Sequence, residues 1–176
     1  NPIFRIAIPK ESKQRTRRVS REELNCLLIN CSHSDLRLAI ELAIETGMRR
    51  GELLNAKWEH IDRGKKLLQI PETKTGHLRA IPLSSKAIEV IEASENQQQE
   101  NILPISANAL RLAWERLCKR CNIYNLRFHD LRHEAISRFF ELGLSIPEVQ
   151  VISGHRDVRM LMRYTHLKPE DVGLKL

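Results

Sequence analysis

The chain has 176 residues, enough for one domain with a sizeable core. Its formal charge of +7 and pI near 9.5 favour a polyanionic partner, and nucleic acid is the commonest such partner. The apolar fraction is 41%, no apolar run approaches the ~20 residues of a membrane span, and the N-terminus NPIFRIAIPK has no apolar h-region, which argues against membrane insertion and secretion.

Residues 1–19 read as a basic linker or arm, crowded by Arg5, Lys10, Lys13, Arg15, Arg17 and Arg18. Arg15, Arg17 and Arg18 are candidate contacts to DNA phosphates; the alternative is a solvated tether. Ser20 and Glu23 form a capping-box pattern ahead of Leu24, Leu27, Leu28 and Cys31 at helical spacing. A second helix is expected from about Asp35 to Thr46, with Leu36, Ile40, Ala43 and Ile44 on its apolar face and Gly47 as its stop. A short helix from about Arg50 to Ala56 restarts the chain. Trp58 to Ile61 reads as a first strand. Lys66 to Ile70 and Arg79 to Leu83 read as a hairpin around Thr75-Gly76, with Pro71 and Pro82 marking strand ends or an edge.

A helix follows from Ser85 to about Glu95, then a polar loop over residues 95–101. Ser106 opens an amphipathic helix with Leu110, Ala113, Trp114, Leu117 and Cys121 on its core stripe. Asp130 is placed to cap a helix bearing Leu131, Ala135, Phe139 and Leu142, with Gly143 as its stop. Ser145, Pro147 and Glu148 give another capping signature, and Gly154 ends that helix. Asp157 starts the last turns, which carry Tyr164; residues 168–176 read as a tail. There are no internal repeats. The class is mainly α with a small antiparallel β-sheet, and 20–167 form the main domain.

Cys26, Cys31, Cys118 and Cys121 have spacings that invite a zinc reading, yet Cys118 and Cys121 fall inside a helical pattern. Small thiols packed in a reducing cytoplasm are the favoured reading. The segment HDLRH, His129 to His133, superficially resembles the zinc motif H-E-x-x-H. It lacks the glutamate and places Arg132 beside the would-be ion, so no metal site is assigned. His133 reads as structural.

Other residues gain weight together. His129 and Arg132 form an H-x-x-R pair; Gly154 and His155 follow; Tyr164, one of two tyrosines, lies beyond. Upstream stand TGMRRGELL, Thr46 to Leu54, and PETKTGHLRAIPL, Pro71 to Leu83. Each residue alone has a bland reading as a surface charge, a helix cap or a packed aromatic. Two guanidinium forks, however, suit the neutralisation of a phosphoryl group, because they give bidentate donors with no proton to lose.

In this order the motifs resemble the tyrosine recombinase, or phage integrase, family, over Ser20 to Leu167. The resemblance implies the DNA breaking–rejoining fold and a catalytic set of Arg49, Lys74, His129, Arg132, His155 and Tyr164, with Glu52 bracing Arg49 or a backbone amide. It implies no cofactor and no metal. It also implies attack of the Tyr164 phenol on a DNA phosphorus, Lys74 as general acid, and a 3′-phosphotyrosyl intermediate. The expected partners are double-stranded DNA and copies of the chain, as a homo-tetramer on DNA, in a bacterial cytoplasm at the nucleoid. Residues 1–19 would correspond to the junction with an N-terminal core-binding domain. The rival readings are type IB topoisomerase-like strand relaxation and a catalytically silent DNA-binding relative.

Overall fold

A computed structural model describes residues 15, 17–71, 79–94 and 99–165. Lys74, the Thr75-Gly76 loop and the tail over 168–176 lie outside the described residues.

Helix α1 (Arg21–Asn30) begins at its capping box: Ser20 Oγ accepts from the Glu23 amide at 3.2 Å, and the Glu23 carboxylate accepts from the Ser20 amide at 2.9 Å. Helix α2 (Ser34–Thr46) stops at Gly47, whose φ of +61° places it in the left-handed region. Helix α3 (Arg50–Leu54) restarts three residues later. Among the described residues, α4 (Ser85–Ala93) and α5 (Ala107–Arg120) are capped by Ser84 and Ser106, whose hydroxyls accept the Ala87 and Ala109 amides at 3.0 and 3.2 Å. Helix α6 (Asp130–Glu141) runs through the interior, and α7 (Ile146–Ser153) opens on the Ser145/Glu148 box. The last, α8 (Arg159–Met162), has only four residues.

The sheet is antiparallel in the order β1 (Ile61–Asp62), β2 (Leu67–Ile70), β3 (Arg79–Pro82). Leu68 pairs with Ile61 on one side and Ile81 on the other, so the expected hairpin is present. The expected strand from Trp58 to Ile61 is corrected: Trp58–His60 is a 3-10 turn, closed by His60 Nδ1 accepting the Lys57 amide at 3.2 Å. Strand pairing within the sheet begins only at Ile61.

The main core joins both parts. Helix α2 packs against α4 and α6. Leu27, Ile40, Leu68, Ile81, Leu110 and Leu131 are among its fully buried side chains. Strand β3 packs against α7. A smaller cluster of Ile136, Val149 and Leu161 holds α8 to the rest.

One further expectation changes. Asp130 does not cap its own helix. Its carboxylate faces back, accepting the Arg127 amide at 2.8 Å and pairing with Arg15 at 2.6 Å. The three arginines expected on DNA have carboxylate partners in their own chain: Arg15 with Asp130, Arg17 with Glu23, and Arg18 with Glu134 and Glu141. They fasten the segment before α1 onto α1 and α6.

The cysteines are free thiols, and burial pushes Cys118 up to about 12 and Cys121 up to about 11. Among the described residues no group of three or more His, Cys, Asp or Glu side chains is arranged to hold a metal ion. No helix among them is long and apolar enough to cross a membrane.

Candidate active site

Two left-handed glycines bring the site together. Gly47 ends α2 and Gly154 ends α7, at φ of +61° and +64°. Helix ends leave carbonyls without intrahelical donors, and the dipole gives them partial negative charge. Guanidinium groups meet them here. Arg132 extends from the first turn of α6 into the interior, 3% exposed. It donates to the Gly47 carbonyl and, at 2.7 Å, to the Ser153 carbonyl. Arg49 stands at the N-cap position of α3 and donates to the next carbonyl, Gly154 O, at 3.0 Å. The two arginines predicted from distant motifs therefore grip neighbouring carbonyls at one helix end.

Glu52 braces Arg49 as expected, accepting its guanidinium at 2.7 Å and its amide at 2.8 Å. The same carboxylate holds Arg79 of β3 through two bonds of 2.8 Å. Burial opposes ionisation of Glu52, but these cationic and amide donors outweigh it and hold the carboxyl below its usual range. The Arg79 guanidinium also lies against Gly154, occupying the space a Cβ there would need. The Gly-His pair thus has a steric reason for its glycine, besides its backbone angle.

His155 follows directly, with Nδ1 2.7 Å from Ser153 Oγ. Burial, then Arg132 and Arg49, push its pKa down to about 4. His129 is also pushed down, by burial and then Arg132. Arg132 itself falls to about 10, by burial and then Arg49, and stays protonated at neutral pH. The predicted imidazoles are therefore neutral beside cationic arginines.

Tyr164 lies two residues past α8 and docks in its own chain. Its hydroxyl is hydrogen-bonded to Nδ1 of His133, and the two rings stack with centroids 5.8 Å apart. The Arg163 guanidinium lies over the phenol ring, 5.0 Å from its centroid. Burial raises the phenol pKa against the lowering influence of Arg163 and Arg132. His133 is pushed down to about 4 by burial and then Arg163. The His129 ring meets the His133 ring edge-on at 5.1 Å. The phenol's hydrogen-bond partner is thus His133, one helical turn along α6 from His129.

The structure thus brings Arg49, Arg132, His129, His155, Tyr164 and Glu52 into one polar region. Lys74 lies outside the described residues. Local patterns gave no reason to single out Arg79 or Ser153, because what they touch is set by tertiary packing. His133 carried a signal: it lies at i+4 from His129, on the same face of α6.

A cavity of about 590 Å³ opens beside His129, lined in part by Arg50, Arg111, Trp114 and Arg127. Comparison with known proteins decides the family. The pattern of the phage integrase family matches residues 17–171. The chain belongs to the phage integrase family. It is 42% identical over 179 residues to the shufflon-specific DNA recombinase of Escherichia coli, a match covering 100% of this chain and 47% of that protein. It is 27% identical to the integrase of Salmonella phage P22, over 93% of this chain and 47% of that one. This integrase-family chain spans about half the length of these curated relatives. Among solved structures, the catalytic domain of bacteriophage HP1 integrase superposes with a TM-score of 0.72 at 24% identity, covering 89% of this chain and 90% of that one. The fold is therefore that of an integrase catalytic domain, as the resemblance implied.

Proposed function

We propose that this integrase-family domain cleaves and rejoins DNA strands at specific sites through a 3′-phosphotyrosyl intermediate. The observation that carries the reading is the convergence of Arg49 and Arg132 on the end of α7, with Tyr164 docked nearby in the same chain.

The chemistry follows from the groups. A phosphodiester entering the site would present two non-bridging oxygens to two guanidiniums, which are fixed before it arrives. The Tyr164 oxygen attacks phosphorus in line with the departing 5′ oxygen. It must lose its proton in doing so, since a free phenol has a pKa of ~10. Neutral imidazoles can take part in that transfer; His133 already touches the hydroxyl, and His129 borders His133. His155 adds a hydrogen bond to the phosphate. Lys74 is assigned the proton for the leaving 5′ oxygen, on the resemblance of its segment alone. The product is a 3′-phosphotyrosyl bond and a free 5′-hydroxyl. The ester bond is exchanged rather than hydrolysed, so a second 5′-hydroxyl reverses the step without ATP. Double-stranded DNA is the substrate in this reading, worked on by a homo-tetramer in the nucleoid of a bacterial cell. The shufflon-specific DNA recombinase, by its name, acts in this class.

The test is a nicked suicide substrate carrying the recognition site. The wild-type chain should form a covalent adduct. Tyr164→Phe should form none while binding DNA with unchanged affinity. An adduct in Tyr164→Phe removes the assignment. Plasmid relaxation without recombination between two sites would favour topoisomerase activity, and DNA binding without any wild-type adduct a silent relative.

A further inference from the structure

Ser153 is the last residue of α7 and is fully buried. Its carbonyl is taken by Arg132, at 2.7 Å, and its hydroxyl lies 2.7 Å from His155 Nδ1. A buried hydroxyl hydrogen without an acceptor costs ~1–3 kcal/mol. Serines inside helices often donate back to a carbonyl one turn earlier. Here, among the described residues, the bond formed by Ser153 Oγ is to the imidazole. With the hydroxyl hydrogen directed along that bond, Nδ1 is its acceptor and must carry a lone pair. The backbone under the ring is held as well: the His155 carbonyl accepts from Gln150 Nε2 at 3.0 Å.

We infer that Ser153 is a positioning residue that sets the tautomer of His155: its hydroxyl donates to Nδ1 and keeps the ring proton on Nε2, the nitrogen left to meet a phosphate oxygen. The inference rests on the proposed function for its catalytic consequence, but not for the tautomer itself. The alternative tautomer would turn a lone pair toward an anion and leave the serine hydrogen buried without an acceptor. A doubly protonated ring is disfavoured by burial and by Arg132, Arg49, Arg163 and Arg79 around it. Which nitrogen faces the phosphate with a proton decides whether His155 attracts or repels it, and a residue two positions upstream makes that choice.

The experiment is long-range proton–nitrogen correlation NMR on the full chain labelled with nitrogen-15, at neutral pH and without DNA. The His155 signals are assigned by their loss in His155→Gln. The wild-type chain should show a protonated Nε2 and an unprotonated Nδ1. Ser153→Ala, which removes only a buried oxygen, should shift the ring toward the other tautomer or a mixture. Ser153→Thr, which restores the hydroxyl, should bring it back. Suicide-substrate cleavage by Ser153→Ala should fall on the order of tenfold, with DNA affinity unchanged. A proton on Nδ1 in the wild-type chain overturns the inference, as does an unchanged tautomer in Ser153→Ala. A shifted tautomer with undiminished cleavage overturns the positioning role. Should the wild-type chain form no DNA adduct at all, the proposed function fails, while the tautomer measurements still decide what Ser153 does.

Discussion

Arg132 and Tyr164 differ sharply in how the chain holds them. Arg132 rises from a helix with Leu131, Ala135 and Ile136 fully buried beside it, and its guanidinium is gripped by two other chain reversals. Tyr164 hangs from a four-residue helix whose fully buried side chain is Leu161. Val158, Met160 and Met162 of the same turn face outward. In the proposed reaction, the half that would receive the phosphate is built into the main core, and the half that would attack is pinned by a satellite cluster. A group that must stabilise charge at a fixed point gains from rigidity, because no reorganisation is then needed during reaction. A group that must travel to phosphorus gains from light anchoring.

The largest effect expected from testing that contrast is at Arg132. Arg132→Ala should lower suicide-substrate cleavage ~10²–10³-fold, on the scale of losing one transition-state donor. Arg132→Lys should recover little, since one ammonium cannot reproduce a planar fork spanning Gly47 and Ser153 carbonyls. Near-normal cleavage in either variant would break the contrast at its rigid end.

Leu161→Ala addresses the other end. A buried leucine truncated to alanine costs ~2–5 kcal/mol when the surroundings do not collapse. Because α8 is peripheral, the loss should appear locally. Amide hydrogen exchange should quicken around residues 159–164 and stay slow in α2 and α6. Uniform acceleration across the domain would show that the two halves are a single cooperative unit.

The third test is with pH. His133 and His155 stand at about 4 in the folded chain, against ~6.5 in an unfolded one. As pH falls the unfolded chain binds their protons first, so stability should be full above ~6.5 and decline toward ~4. The melting temperature should drop across that interval, and His155→Gln should flatten part of the slope. A flat wild-type profile would mean that both rings are well hydrated in the fold.

Much of the scaffold was readable in local signals. The Ser20/Glu23 and Ser145/Glu148 boxes, the Ser106 cap and the Gly47 and Gly154 stops all act within a few residues, and they are where the pattern placed them. The β2–β3 pairing was legible for the same reason. Readings failed where a local rule met a stronger distant partner. Asp130 could cap α6, but a charge-assisted pair with Arg15 from over a hundred positions away claims its carboxylate. Arg79 reads as an ordinary strand residue until Glu52 and Gly154 are seen around it. His133 looked inert because its partner lies 31 positions further along the chain.

The manner in which Arg132 is held has one more outcome. Its direct partners are amide oxygens, which carry no net charge, rather than a carboxylate. In the proposed reaction, a phosphate would therefore displace no carboxylate of the described residues from this guanidinium, whose orientation is already fixed.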